Sequence, residues 1–308
     1  MRIILTHSLP MPSSFHQLQR RRLLGASALT ALAGLSWPFA HAAEGWQPAT
    51  LPQGLQRDID SSITGQRYRI YLSVPTTPAP SAGHPVLYAL DGNATFPALA
   101  LMARSTASRS ARTGQVAPVI VGIGYPSGQD FGGGRARDYT PASGKDQPPS
   151  EGGADRFLDF IERELKPLVA SLAPLDPARQ ALFGHSYGGL CTLHALFTRP
   201  GMFQTYLAAS PSIWYGERVI LSEMAGLAKR TAALPAKPAL MLSVGELEQS
   251  KTRGVAAERR MVGEAQDLAD RLAQSNSLSR VQFHLLANEN HGSAMFPAMA
   301  RGMEFFLG

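Results

Sequence analysis

An α/β fold, with a mainly parallel central sheet and helices on both faces, is the architecture this sequence predicts. Two observations carry the prediction. Apolar strand-like runs alternate with helical segments through most of the 308 residues. No internal repeat and no second compositional block interrupts that series, and 44% hydrophobic content at this length is ample for one large core.

Residues 1–42 read as a secretory signal peptide. They contain no acid, carry Arg20-Arg21-Arg22 before an apolar stretch from Leu23 to Leu35, and close on Ala40-His41-Ala42, with small residues at −3 and −1 of a cleavage site. The stretch is too short to span a bilayer comfortably. The paired arginines before Leu23-Leu24 also suit the twin-arginine export route. The expectation is an exported chain whose mature part, residues 43–308, is a single domain without stable membrane insertion.

In the mature part, residues 43–56 are rich in Pro, Gln and Gly and are expected along the surface. Arg67 to Val74 alternates as an exposed antiparallel strand should, and Pro75 to Pro85 is a proline-rich turn. Val86 to Leu90 reads as a central strand that ends at Asp91-Gly92-Asn93, with a helix following to about Thr106. Val119 to Ile123 is the next buried strand. Residues 124–153, crowded with Gly, Pro, Ser and charge, form a loop of a length that is usually functional or disordered. A helix from Asp155 to about Leu172 places Phe157, Ile161, Leu165 and Leu168 on one face. Further strands are expected before residue 184, at Thr205 to Ala209, at Ala239 to Val244 and at Val281 to Leu286. Helices are expected from Leu190, from about Val255 to Gln274, and from Ala294.

The richest feature is Gly184-His185-Ser186-Tyr187-Gly188, a G-x-S-x-G sequence between the strand end Ala181-Leu182-Phe183 and the helix from Leu190. A serine on so sharp a strand-to-helix turn has its hydroxyl raised into a cleft, and the flanking glycines let the two backbones approach. The bland alternative is a tight turn in which Ser186 caps the helix. A serine hydroxyl needs an adjacent base, which in hydrolases of this kind lies downstream. His284 sits mid-strand and reads as structural; His291, in the polar loop Asn288-Glu289-Asn290-His291-Gly292, is the expected base. Ser243-Val244-Gly245-Glu246-Leu247-Glu248 closes the penultimate strand, and Glu248, with Glu246 as the alternate, is the expected acid. The oxyanion donors are expected at the backbone N–H of Tyr187 and, after the strand Val86 to Leu90, at Asn93.

Composition excludes several other classes. The leader holds four of the 29 basic residues and none of the 23 acids, so the mature chain carries 25 against 23, a net charge of +2. No basic tail or recognition motif supports a nucleic-acid partner. The lone cysteine, Cys191, reads as a small buried residue. The eight histidines form no metal-ligand spacing, so neither metal nor cofactor is expected.

Over about 57–308 the chain resembles the esterase-D-like branch of the α/β-hydrolases, and within it the siderophore esterases that open enterobactin, salmochelin or bacillibactin. The segments that carry the resemblance are Tyr88 to Asn93, Arg137-Asp138-Tyr139-Thr140-Pro141, Gly184 to Gly189, Ser210-Pro211-Ser212-Ile213-Trp214, Val244 to Glu248 and Asn290-His291-Gly292-Ser293. The resemblance implies an α/β-hydrolase fold and hydrolysis of the ester bonds in a ferric catecholate trilactone through an acyl-enzyme. The export signal of residues 1–42, in turn, would place such an enzyme in the periplasm, where ferric siderophores arrive in a Gram-negative cell. Some periplasmic relatives work with a serine–histidine pair, which leaves open how much Glu248 contributes. Anionic aromatic substrates suit arginine, which pairs with oxyanions and stacks on rings. Arg135 and Arg137 on the long loop, with Trp214 as a stacking wall, are the expected binding residues; the alternatives are an Arg137–Asp138 pair that holds the loop and a core position for Trp214. Two other functions fit the same sequence: a general exported carboxylesterase acting on acyl or feruloyl-type esters, and a non-catalytic siderophore-binding protein on a hydrolase scaffold.

Overall fold

The structure, a computed structural model, describes residues 49–144, 146–249 and 259–308. The expected signal peptide and the start of the helix expected at Val255 lie outside the described residues. The strands are β1 (Gly54–Asp60), β2 (Arg67–Ser73), β3 (His84–Leu90), β4 (Val119–Gly124), β5 (Leu175–His185), β6 (Thr205–Ala209), β7 (Ala239–Gly245) and β8 (Arg280–Leu286). They form one sheet in the order β1-β2-β4-β3-β5-β6-β7-β8. The β1–β2 and β2–β4 pairs are antiparallel, and every later pair is parallel.

Every residue of β3, β4, β6 and β7 is buried, as strands covered on both faces require. Their side chains alternate between two cores, following the two-residue period of a strand. Val86, Tyr88 and Leu90 join one core with Phe157 and Ile161, with Leu193 of α5 (Tyr187–Thr198), and with Leu268 of α8 (Met261–Gln274). Leu87 and Ala89 join the other with Phe96 and Leu99 of α1 (Gly92–Thr113) and Met299 and Met303 of α9 (Met295–Leu307). Cys191 is fully buried in α5, where desolvation raises its thiol pKa and keeps it protonated.

Several expectations differ from what the structure contains. Part of 43–56 is not merely surface chain, because β1 starts at Gly54 and adds an edge strand to β2. Its residues Gly-Leu-Gln-Arg-Asp-Ile-Asp are largely polar and partly exposed, so no apolar run announces it. An Arg69–Asp58 ion pair at 2.7 Å crosses the β1–β2 pair. The long loop holds a short helix, α2 (Arg135–Tyr139). The helix after it runs as α3 (Ala154–Phe160), one π turn (Ile161–Leu165) and α4 (Lys166–Ala170). A π turn takes an extra residue, and that rotates the buried stripe: Phe157, Ile161 and Leu165 are buried as expected, but Val169 replaces Leu168 as the next buried position. Two unanticipated helices, α6 (Tyr215–Glu223) and α7 (Leu227–Ala232), follow β6.

His194, on α5, is buried between two carboxylates. Its Nδ1 is 2.7 Å from Glu223, and its Nε2 is 3.4 Å from Asp155, too askew for a hydrogen bond. Burial lowers its pKa, the two carboxylates raise it further, and the net result is a rise from 6.5 to about 9. The charged imidazole therefore contributes stability that is complete below about pH 6.5 and is lost as pH rises through about 9. Thermal unfolding between pH 6 and pH 9.5 should show Tm falling in the native protein and falling less in His194→Gln. Parallel curves would remove His194 as the cause.

Candidate active site

Strands β3, β5, β6, β7 and β8 all point their C-terminal ends to one edge of the sheet: His185 pairs with Ala209, Ala209 with Ser243, and Gly245 with Leu286. Loops at that edge are where an open parallel sheet builds its site. There β5 turns directly into α5 at Ser186, whose backbone lies at φ 62°, ψ −117°. Such a conformation costs on the order of 1–3 kcal/mol. Surrounding bonds hold it: Ser186 donates its N–H to the Ala209 carbonyl at 3.0 Å, and its own carbonyl accepts from Leu190 and Ser212 at 3.0 and 3.2 Å. Gly184 is required, since a Cβ there would meet the Gly188 carbonyl oxygen at 2.1 Å.

Ser186 Oγ lies 3.0 Å from His291 Nε2, and His291 Nδ1 lies 2.6 Å from Glu248 Oε2. Glu248 sits on a 3₁₀ turn (Glu246–Glu248) immediately after β7. Its Oε1 accepts from Ser210 Oγ at 2.5 Å and from the Gly245 amide at 2.7 Å. Burial of this carboxyl works to raise its pKa, but the hydrogen bonds from His291, Ser210 and Gly245 outweigh it and hold the value below the usual range. The ionised carboxylate accepts from Nδ1–H, so the Nε2 lone pair faces the serine hydroxyl. Glu246 instead accepts the Asn288 amide at 2.9 Å. His284 lies on β8, opposite Ser243.

Tyr187 is the first residue of α5 and Asn93 the second of α1. Backbone amides in a helix's first turn lack an intrahelical acceptor. The Asn93 side chain is occupied, donating to the Tyr125 carbonyl at 3.0 Å and accepting its amide at 2.9 Å. Its backbone N–H, in the first turn of α1, is left for a ligand.

Two cavities meet at Ser186, His291 and Arg135. One, of about 520 Å³, is bounded by Asn93, Pro97, Phe131, Met295 and Phe296. The other, of about 710 Å³, is bounded by Tyr187, Trp214, Leu247, Arg259 and Met261. Of the expected binding residues, Trp214 walls the larger cavity, with the Arg259 guanidinium 3.9 Å from its ring. Arg135 reaches both cavities, but its Nε and Nη2 are committed to Asp91 and to the His185 carbonyl. Arg137 reaches neither: its Nε and Nη2 donate to the two carboxylate oxygens of Asp138, at 2.7 and 2.9 Å.

Comparison with known proteins agrees with this geometry. Residues 61–291 match the family model described as putative esterase. The chain belongs to the putative esterase family. This esterase is 36% identical to the ferri-bacillibactin esterase BesA of Bacillus subtilis, over 84% of its own length and 91% of that protein's. It is 35% identical to the siderophore enterobactin esterase of Emericella nidulans, with 84% and 97% covered. Among solved structures, the BES protein from Bacillus cereus superposes with a TM-score of 0.77 at 35% identity, with 86% and 99% covered. The α/β-hydrolase fold and an ester-hydrolysing activity go with that membership.

Four residues of this site had no assignment from sequence. Ser210, at φ 41°, supports Glu248. Ser212 Oγ is 3.5 Å from Ser186 Oγ. His185, its ring 4.8 Å from that of His291, is neutral near pH 7 because burial lowers its pKa to about 4. Asp91 lies beneath Arg135, almost wholly buried. All four fall within family-like segments, which is the only signal that could have found them.

Proposed function

We propose that this esterase hydrolyses the ester bonds of a catecholate siderophore trilactone, with Ser186 as nucleophile, His291 as base and then acid, and Glu248 as the residue that orients the imidazole. The single observation that carries the chemistry is the unbroken Ser186–His291–Glu248 hydrogen-bond chain between two cavities. As Ser186 Oγ attacks the ester carbon, its proton passes to His291 Nε2. The oxyanion is received by the amides of Tyr187 and Asn93, each such donor being worth about 3–4 kcal/mol of barrier. Collapse expels the alcohol, which takes the proton from His291 and leaves an acyl-enzyme. Water, deprotonated by the same imidazole, then releases the acid.

The substrate class is supported by the relatives named above and by the shape of the site. A bulky lactone with several arms needs room on both sides of the scissile bond, and cavities of about 520 and 710 Å³ flank Ser186. Exposed Phe131 and Phe296 rim one side, and the Arg259–Trp214 stack gives the other an aromatic, cationic wall for anionic rings. The leader-like residues 1–42 support a periplasmic location.

Incubation with ferric and iron-free tricatecholate trilactones, followed by mass spectrometry, should give linear and monomeric catecholoyl-serine products. Their kcat/KM should exceed that for short nitrophenyl esters. A preference for the nitrophenyl esters would make this a general carboxylesterase. Assayed separately in osmotic-shock and cytosolic fractions, the same reaction reads the export.

A further inference from the structure

We propose that Arg135 and Asp91 form a strut that holds the two oxyanion donors in register, so that both are positioning residues for catalysis. The inference rests on the proposed roles of the Asn93 and Tyr187 amides. Those amides belong to different helices on adjacent strands, β3 and β5, and must converge on one oxygen. A misplacement of about 1 Å at such a site can cost a hundredfold in rate.

Arg135 grips the Asp91 side chain after β3 and the His185 backbone at the end of β5. Its Nε and Nη2 donate to the Asp91 carboxylate at 2.7 and 3.2 Å, and Nη2 also donates to the His185 carbonyl at 3.1 Å. Asp91 precedes Asn93 by two positions, and His185 precedes Tyr187 by two. Asp91 is itself fixed in the left-handed region at φ 53°, ψ 48°. Its N–H donates to Tyr139 Oη at 3.0 Å, and its carbonyl accepts from Ala94 and Thr95 at 2.9 and 3.0 Å. Burial raises the Asp91 pKa and the Arg135 guanidinium opposes that rise. A buried ion pair is a poor source of stability, but it fixes geometry well.

Both gripping residues, Arg135 and Tyr139, lie on α2, and α2 is anchored behind. Asp138 accepts from Arg137, from Tyr68 Oη at 3.0 Å and from Tyr125 Oη at 2.9 Å. Tyr125 in turn holds the Asn93 side chain through its backbone. The long Gly-rich loop thus closes a ring of contacts around the oxyanion site. A guanidinium with two nitrogens spent on protein acceptors acts here as a brace before it acts as a receptor for substrate charge.

The test uses substrates without charge, so that it does not depend on the siderophore. Arg135→Lys, Asp91→Asn and Tyr139→Phe would be assayed with 4-nitrophenyl acetate and, for affinity, with a neutral boronic acid that forms a tetrahedral adduct on Ser186. We expect Arg135→Lys and Asp91→Asn to lower kcat about 10- to 100-fold, with KM within about threefold and boronate affinity falling in parallel with kcat. Tyr139→Phe removes one hydroxyl from a packed ring and should lower kcat by a smaller factor; it keeps the test readable where Asp91→Asn does not fold. Unchanged kcat on the neutral ester in Arg135→Lys and Tyr139→Phe overturns the proposal, and a raised KM confined to the ferric tricatecholate would make Arg135 a substrate ligand instead. Loss of siderophore hydrolysis in the native protein would sink the proposed substrate while leaving the neutral-ester comparison intact.

Discussion

Ser186→Ala is expected to lower kcat on every ester by about 10⁶-fold, the scale seen when a serine hydrolase loses its nucleophile. Fold and substrate affinity should survive. Alanine keeps the Cβ, so the backbone cost of φ 62° and the three hydrogen bonds that hold the elbow are unchanged. What disappears is one hydroxyl, with its 3.0 Å contact to His291 and its 3.5 Å contact to Ser212. Losing one such bond changes stability by about 0.5–1.5 kcal/mol. The expected pair of results is quenching of protein fluorescence by ferric siderophore at native affinity, together with no product by chromatography. Undiminished hydrolysis would reject Ser186 as nucleophile. Quenching by the native protein, again with no product, would instead identify a binding protein that retains the triad geometry without using it.

The parts of this site that could be read from sequence are those with local signatures. The elbow is five consecutive residues, one of whose glycines, Gly184, is dictated by contact, since a Cβ there would come within 2.1 Å of the Gly188 carbonyl oxygen. His291 and Glu248 each follow a strand, so polar residues after an apolar run were enough to find them, and the contact of Glu248 with Nδ1 separates it from Glu246. The supports could not be read this way. Ser210 and Glu248 are 38 residues apart, and Asp91 and Arg135 are 44 apart. Each pair meets because the strands that precede its residues, β6 and β7 or β3 and β4, are neighbours in the sheet, which brings their loops together. Arg135 and Arg137 illustrate the limit. Two residues apart on one helical turn, they face different ways. One reaches the cavities and the other the Asp138 carboxylate, whereas the substrate implied by the resemblance and their shared place on the long loop gave both the same expected role. The edge strand β1 escaped for a related reason, being recognisable only through the partner it pairs with.

Glu248→Gln should lower kcat by about 10³–10⁴-fold, the loss expected when the wrong imidazole tautomer is held in place. The resemblance to relatives that work with a serine–histidine pair pointed to a small contribution, but the surroundings of this carboxylate argue for a large one. Its side chain is 1% exposed and takes three donors: His291 Nδ1, Ser210 Oγ and the Gly245 amide. In the glutamine variant one oxygen can still serve Ser210 and Gly245, which turns the amide NH₂ toward Nδ1. Nδ1 must then accept, the ring proton moves to Nε2, and Nε2 can no longer take the proton of Ser186. Nitrogen NMR of the His291 ring should therefore show the tautomers exchanged, with KM little changed. Glu246→Gln is the control. It weakens only the bond to the Asn288 amide, so kcat should stay within about twofold, since a surface change of this kind moves free energies by under about 0.5 kcal/mol. A loss of less than tenfold in Glu248→Gln, with the native tautomer retained, would mean that the backbone around His291 orients the ring and that serine and histidine suffice.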